Sequence, residues 1–221
     1  MIFAFALLGL LFGWLVNAAS EYLPRFATKP PSGLSARMPG LALLQFLPGH
    51  RSAAPYFRLH LGIELLSAAF LAGLGVTRSF NVAWGLLAFS FLVFLLIAVI
   101  DLKYRLILNI VTYPAIVVVL LVQLLILQQD VRVILVGGLL AFSIFFLVSY
   151  LKPGQLGGGD VKLAALIGLT FGFPQVLLAL LVGAGVGAVA AGVLLARRAG
   201  LDYRIPYAPF LCFGAMITLL L

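Results

Sequence analysis

Apolar residues occur along this chain in eight long runs that short polar connections separate. The runs cover roughly residues 2–18, 60–77, 80–100, 109–128, 131–150, 160–173, 175–196 and 206–221. A helix needs about 20 mostly apolar residues to cross a bilayer, and lipid forces each spanning segment to satisfy its own backbone polar groups. The pattern predicts an all-α fold, a polytopic transmembrane helical bundle of about eight spans, in one integral-membrane domain over 1–221. The sixth run is short, which predicts a broken or partly inserted segment.

Composition supports a bilayer as the solvent of this chain. Hydrophobic residues make up 64% of the sequence and charged residues 9%, whereas soluble domains average roughly 25% charged residues. The net charge of +8 arises from basic residues in the connections. These residues are not interleaved with aromatic side chains that could stack on the bases of a nucleic acid. The lipid bilayer is therefore an expected partner, and nucleic acid is not.

The distribution of basic residues predicts the orientation of the bundle. Connections after odd-numbered runs hold twelve lysines and arginines, and connections after even-numbered runs hold only Arg78 and Arg132. Short cytoplasmic loops carry an excess of such residues. Both termini are thus predicted to lie outside, and residues 19–59 form a short cytoplasmic loop.

The chain contains six acidic residues, three of which fall at membrane depth. Glu21, Asp130 and Asp202 lie in polar connections and are expected to be solvated. The other three are Glu64, Asp101 and Asp160, inside or at the end of apolar runs. Ionisable groups at such positions are costly and are candidates for function.

Each of these three acids also has a structural explanation. Asp101 could mark the boundary of the third span, and Asp160 could be the N-cap of the sixth helix, where Asp is favoured. Glu64 could pair with Arg58 or His60 near the interface.

The two aspartates are more informative together than singly. Asp101 ends a span that runs inward and Asp160 begins one that runs outward, so both are predicted at the cytoplasmic edge. Two carboxylates that lie close in an apolar site share a proton, as in aspartic proteases. Three glycines, Gly157, Gly158 and Gly159, precede Asp160 and would let a peptide backbone approach. A transporter hinge would use the same glycines, and both alternatives remain.

Five segments of the chain resemble one known family in the correct order. They are GWLVNAASEYLPR (13–25), IELLSAAF (63–70), DLKYRLILN (101–109), GQLGGGDVKLAALIG (154–168) and IPYAPFLCFGA (205–215). These segments are similar to those of the prepilin peptidases, the type IV leader peptidases, which belong to the GxGD class of intramembrane aspartyl proteases.

The resemblance implies a reaction and a set of site residues. Members of this family cut the basic leader from prepilin and pseudopilin precursors at the cytoplasmic side of the bacterial inner membrane. The resemblance implies that Asp101 and Asp160 are the catalytic pair, with water as nucleophile and no metal. The supporting or substrate-binding residues that it implies are Gly157, Gly158, Gly159, Lys162, Glu64 and Lys103.

Two departures from the family pattern affect the expected cofactors. Residues 19–59 lack the paired cysteines that bind zinc in many members, so no zinc is expected. That region is linked to methylation of the new N-terminus, which leaves methyl transfer, and with it S-adenosylmethionine, in question. Proteolysis itself is expected to need no cofactor. The family's Ile-Pro after the first aspartate is replaced by Ile107-Leu108, which predicts a local change at the start of the fourth helix.

Two other functions remain open from the sequence. A small transporter could use Glu64, Asp101 and Asp160 as a proton or cation relay, and a silent member could bind precursors without cleaving them. The single Cys212 is expected to be a small packing residue. The sequence gives no oligomeric state.

Overall fold

A computed structural model of the chain describes residues 2–27, 56–78, 80–151, 156–196 and 206–221. Within these ranges the structure is helical. The helices are α1 (Ile2–Tyr22), α2 (Phe57–Thr77), α3 (Val82–Tyr104), α4 (Asn109–Leu121), α5 (Val131–Leu151), α6 (Gly158–Phe171), α7 (Gln175–Ala196) and α8 (Ala208–Thr218). A 3-10 turn follows α1 at Leu23–Phe26, and a π-helical turn extends α4 over Val122–Ile126. The all-α prediction is confirmed.

Each predicted apolar run corresponds to one helix, but the helices differ in length. Six of those in the described ranges are long and apolar enough to cross a membrane, and α8 is a shorter apolar helix. The sixth run forms α6, which has 14 residues and is therefore about 21 Å long, less than the roughly 30 Å hydrocarbon core. The chain is a multi-pass membrane protein, and its predicted orientation stays a prediction.

The chain divides into two compact units, Met1–Leu96 and Ile97–Leu221. In the first unit, α1 and α2 pack closely because glycines on α1 face the backbone of α2. A Cβ added at Gly13 would lie 2.7 Å from the Cα of Glu64, and one at Gly9 would meet the Cα of Ala68. Small residues permit this approach between membrane helices, as the four-residue spacing of Gly9 and Gly13 predicts.

The second unit uses the same principle for two further helix pairs. Gly137 of α5 faces the backbone of Gly168 in α6, and Gly214 of α8 faces that of Gly183 in α7. Gly172 ends α6 with a positive φ of 67°, a conformation that L-residues adopt rarely. Immediately after it, the Phe173 N–H donates to the Val133 carbonyl oxygen at 2.9 Å. The contacts of Gly168, Gly172 and Phe173 fix the C-terminal end of α6 against α5.

The start of α4 forms without the proline that the family pattern has. Leu108 is its N-cap, with extended backbone angles of φ −83° and ψ 125°, and the Thr112 hydroxyl donates to the Leu108 carbonyl oxygen at 3.1 Å. The replacement of the family's Ile-Pro by Ile107-Leu108 therefore does not prevent a regular helix start at Asn109.

Two glycine substitutions test the close approach of α1 and α2. Gly13→Ala places a methyl group against the α2 backbone and is expected to lower the free energy of unfolding by about 1–3 kcal/mol, the usual cost of overpacking. Gly62→Ala is the matched control, because its Cβ would have no heavy atom within 4 Å. Thermal unfolding in detergent micelles measures both variants. Equal unfolding midpoints for the two variants would contradict this account of the packing.

Candidate active site

Asp101 lies in the last turn of α3, in the part of the helix that belongs to the second unit. Its side chain is buried, with 6% of its surface exposed. The helix ends when Arg105 takes a left-handed conformation at φ 55° and donates its N–H to the Asp101 carbonyl oxygen at 2.8 Å. The Arg105 charge also acts on the Asp101 carboxyl group. The helix end thus places one cation beside a buried acid.

Asp160 lies in the first turn of α6 and accepts a hydrogen bond from the chain just before it. The Gly157 N–H donates to Asp160 Oδ2 at 3.1 Å, and the Asp160 N–H donates to the Gly157 carbonyl oxygen at 3.0 Å. Gly157 is therefore the N-cap, and Asp160 is the third helical residue. The structural alternative in which Asp160 is the N-cap is not observed: Gly157 holds that position, and the Asp160 side chain accepts a hydrogen bond from the Gly157 N–H.

The fold brings the two aspartates together. Asp101 and Asp160 interact electrostatically although 59 residues separate them in sequence. Like charges that lie close in a poorly solvated site disfavour the doubly ionised state, and a pair of this kind can share one proton. Such a pair can accept a proton at one oxygen while it donates a hydrogen bond from another.

Two residues at the start of α8 and within it also interact with the pair. Cys212 is fully buried and interacts electrostatically with both Asp101 and Asp160. The predicted packing role of this cysteine agrees with its burial, but its place beside the aspartates was not predicted. Tyr207 interacts with Asp160, and its ring centre lies 6.0 Å from that of Phe145. Tyr207 belongs to the IPYAPF segment, and no individual role was predicted for it.

The three glycines before Asp160 have different environments. A Cβ at Gly159 would lie 2.8 Å from the Cβ of Ile107, one at Gly157 would lie 3.3 Å from Asp160 Oδ2, and one at Gly158 would have no atom within 4 Å. Gly159 therefore lets α6 pack against the segment that follows Asp101. Gly158 borders open space, as an approaching peptide would require.

The predicted supporting residues separate into two groups. Lys162 donates from Nζ to Asn109 Oδ1 at 2.9 Å and lies 5.0 Å from the centre of the Tyr113 ring, so it contacts the first two turns of α4. Lys103 is partly buried in the last turn of α3. Sequence reasoning missed Asn109 and Tyr113, although Asn109 closes the DLKYRLILN segment.

Glu64 belongs to the first unit, where it is fully buried in the α1–α2 pair. Asn17 Nδ2 donates to Glu64 Oε1 at 3.4 Å and to the His60 carbonyl oxygen at 3.1 Å. His60 Nε2 in turn lies 3.2 Å from Glu21 Oε1. The expectation that Glu21 is solvated is wrong, since its side chain is only 12% exposed. His60 thus contacts Glu21, and the contact proposed between Glu64 and His60 or Arg58 stays a prediction.

The described residues contain no group of three or more His, Cys, Asp or Glu side chains placed to hold a metal ion. The single cysteine of the chain cannot supply the multiple thiolates of a structural zinc site. Most of the 19–59 loop lies outside the described residues, and the expectations about zinc and S-adenosylmethionine stay predictions.

The environments of the glycines predict unequal effects of alanine. Gly159→Ala is expected to lower the free energy of unfolding by about 1–3 kcal/mol, because the new methyl group meets the fixed Cβ of Ile107. Gly158→Ala is the control and should change stability by less than about 0.5 kcal/mol, as at open surface positions. Thermal unfolding of the purified variants measures the difference. If Gly158→Ala were destabilised and Gly159→Ala were not, the environments assigned to the two glycines would be wrong.

Comparison with known proteins identifies the family of the segment that holds both aspartates. The sequence profile described as the type IV leader peptidase family matches residues 86–192. No curated protein and no solved structure matches the chain. The matched segment runs from α3 to α7 and includes Asp101, the glycines and Asp160. The resemblance carried by the two aspartate motifs is thereby confirmed: residues 86–192 of the chain are similar to the type IV leader peptidase family.

Proposed function

We propose that this chain is an aspartyl endopeptidase of the bacterial inner membrane that removes the basic leader from type IV prepilin and pseudopilin precursors at the cytoplasmic side. The observation that carries the proposal is the electrostatic interaction between Asp101 and Asp160, which lie in two motif segments of the region that matches the leader peptidase profile. A protease of this family needs a pair of acids, and these are the two that the second unit brings together.

The chemistry of the pair follows from its shared proton. The ionised carboxylate takes a proton from water while the water oxygen attacks the scissile carbonyl carbon, and the protonated carboxyl group donates to the carbonyl oxygen. The tetrahedral intermediate then collapses, the C–N bond breaks and the departing amine receives a proton. The products are a leader with a new carboxyl terminus and a mature chain with a free amine. Neither aspartate is assigned one fixed role, since the proton belongs to the pair.

The surroundings support the approach of an extended peptide. Gly157 is exposed and has extended backbone angles of φ −78° and ψ 149°, and Gly158 borders open space. A peptide that approached Asp160 here would meet no Cβ at Gly157 or Gly158.

Substitution of either aspartate tests the proposal directly. Asp101→Asn and Asp160→Asn are each expected to lower the cleavage rate of a model prepilin by roughly a thousandfold or more, because neither amide can exchange the shared proton. Asp130→Asn is the matched control: Asp130 is exposed and accepts a hydrogen bond from the Arg132 N–H at 2.8 Å, which an amide oxygen also accepts. Mass spectrometry of the products of purified enzyme in detergent identifies the bond that is cut.

Three results of that assay bear on the proposal. Normal cleavage by either aspartate variant would refute it, and no cleavage by well-folded wild type would favour proton-coupled transport, measured as uptake into liposomes. An added methyl group on the mature product in the presence of S-adenosylmethionine would establish methyl transfer.

The shared proton also predicts the pH dependence of cleavage. Activity requires one carboxyl group protonated and the other ionised, so kcat/KM is expected to rise and then fall as pH increases. A series of initial rates across the pH range, with unfolding checked at each pH, measures the profile. A rate that rises to a plateau without an alkaline fall would argue against a shared proton.

A further inference from the structure

The helix that carries Asp160 is attached by side chains to α4 at both of its ends. At its first turn, Lys162 Nζ donates to Asn109 Oδ1 at 2.9 Å and lies 5.0 Å from the centre of the Tyr113 ring. An ammonium group over an aromatic face is attracted by the ring quadrupole. One lysine of α6 therefore makes two favourable contacts with two consecutive turns of α4.

At the other end of α6 the attachment uses an amide. Gln123 is buried in the π-helical turn that extends α4, and its Nε2 donates to the carbonyl oxygens of Leu169 and Thr170 at 2.8 and 3.0 Å. The last carbonyl groups of a helix have no partner within the helix, so Gln123 supplies a donor for two of them. A π-helical turn inside a helix often occurs at a functional site, and here it directs this side chain.

Rigid-body movement of the first turn of α6 would displace Asp160. Lys162 is two residues beyond Asp160, in the same turn, and α6 has only 14 residues. Its N-cap is a glycine without a side chain, so the capping hydrogen bonds run between Gly157 and Asp160 and do not join α6 to a neighbouring helix. Lys162 supplies such a link to α4.

We propose that Lys162 is a positioning residue that holds Asp160 at its distance from Asp101 by fastening the first turn of α6 to Asn109 and Tyr113 of α4. This inference rests on the proposed function and changes the role expected for Lys162 from the family resemblance, in which it contacts or supports the substrate. A positioning residue affects the rate at which bound peptide is cut. A residue that contacts the leader affects how well the peptide binds.

Kinetics of three variants separate the two roles. Lys162→Met and Asn109→Ala are each expected to lower kcat roughly 10- to 100-fold with KM changed by less than about twofold, since small displacements of catalytic groups are costly. Lys162→Arg keeps a cation and a donor and should recover most of the rate. The Lys162→Met/Asn109→Ala double variant should be no slower than the slower single variant, because both remove the same contact.

Hydrogen exchange provides a test that does not depend on cleavage. Lys162→Met is expected to raise the exchange rate of the amides of residues 162–165 by roughly tenfold or more, because the first turn opens more often. Gln123→Ala is the matched control and should raise exchange near Leu169 and Thr170 instead. Exchange measured by mass spectrometry on protein in nanodiscs resolves the two ends of α6.

The results of these experiments distinguish the two roles of Lys162. A raised KM with unchanged kcat in Lys162→Met, together with wild-type kinetics of Asn109→Ala, would overturn the inference in favour of a substrate contact. First-turn amides that stay protected in Lys162→Met would overturn it as well. Wild-type protein that cuts no precursor would refute the proposed function, and the exchange experiment would still decide whether Lys162 fastens α6.

Discussion

The second unit depends on the placement of two acids where water is scarce. A buried charge is expensive unless it is paired or protonated. Asp101 and Asp160 carry charges of the same sign when both are ionised, so their proximity adds to this cost. Such a contact persists only because the surrounding helices hold it. Arg105 supplies a cation beside one acid, and the Gly157 amide supplies a hydrogen bond to the other. Each acid thus has one favourable partner, while the two acids repel each other if both are ionised, an arrangement that suits acid–base chemistry.

Glycines, which have no side chain, determine how closely the paired helices of this protein pack. Water does not drive membrane helices together, so close backbone contact replaces the hydrophobic force. The glycines of α1, α5, α6 and α8 meet backbone atoms of a neighbouring helix, and Gly159 lets the start of α6 contact Ile107. Glycines therefore permit both the helix packing and the geometry of the site. At adjacent positions their effects differ, because Gly159 permits a close contact and Gly158 leaves open space.

The sequence predicts the helices well because lipid leaves the backbone few alternatives. It also predicts that Asp101 and Asp160 meet, since alternating spans return to the same side of the membrane. It does not predict partners that depend on the rotation and depth of each helix. Glu21 was expected in solvent and is partly covered beside His60. Lys162 was expected to support a substrate, and its contact with Asn109 spans 53 residues of sequence.

The short length of α6 has a consequence for how far Asp160 can move in depth. The far end of α6 is level with the start of α5, because the Phe173 N–H bonds to the Val133 carbonyl oxygen. The chain just before its first turn is level with the last turn of α5, because the Ser149 hydroxyl donates to the Leu156 carbonyl oxygen at 3.3 Å. The 14 residues of α6 therefore lie between two hydrogen bonds to one neighbour, and the helix cannot slide along α5 without breaking one of them. The level of Asp160 is thus set by α5 as much as by the helix that carries it.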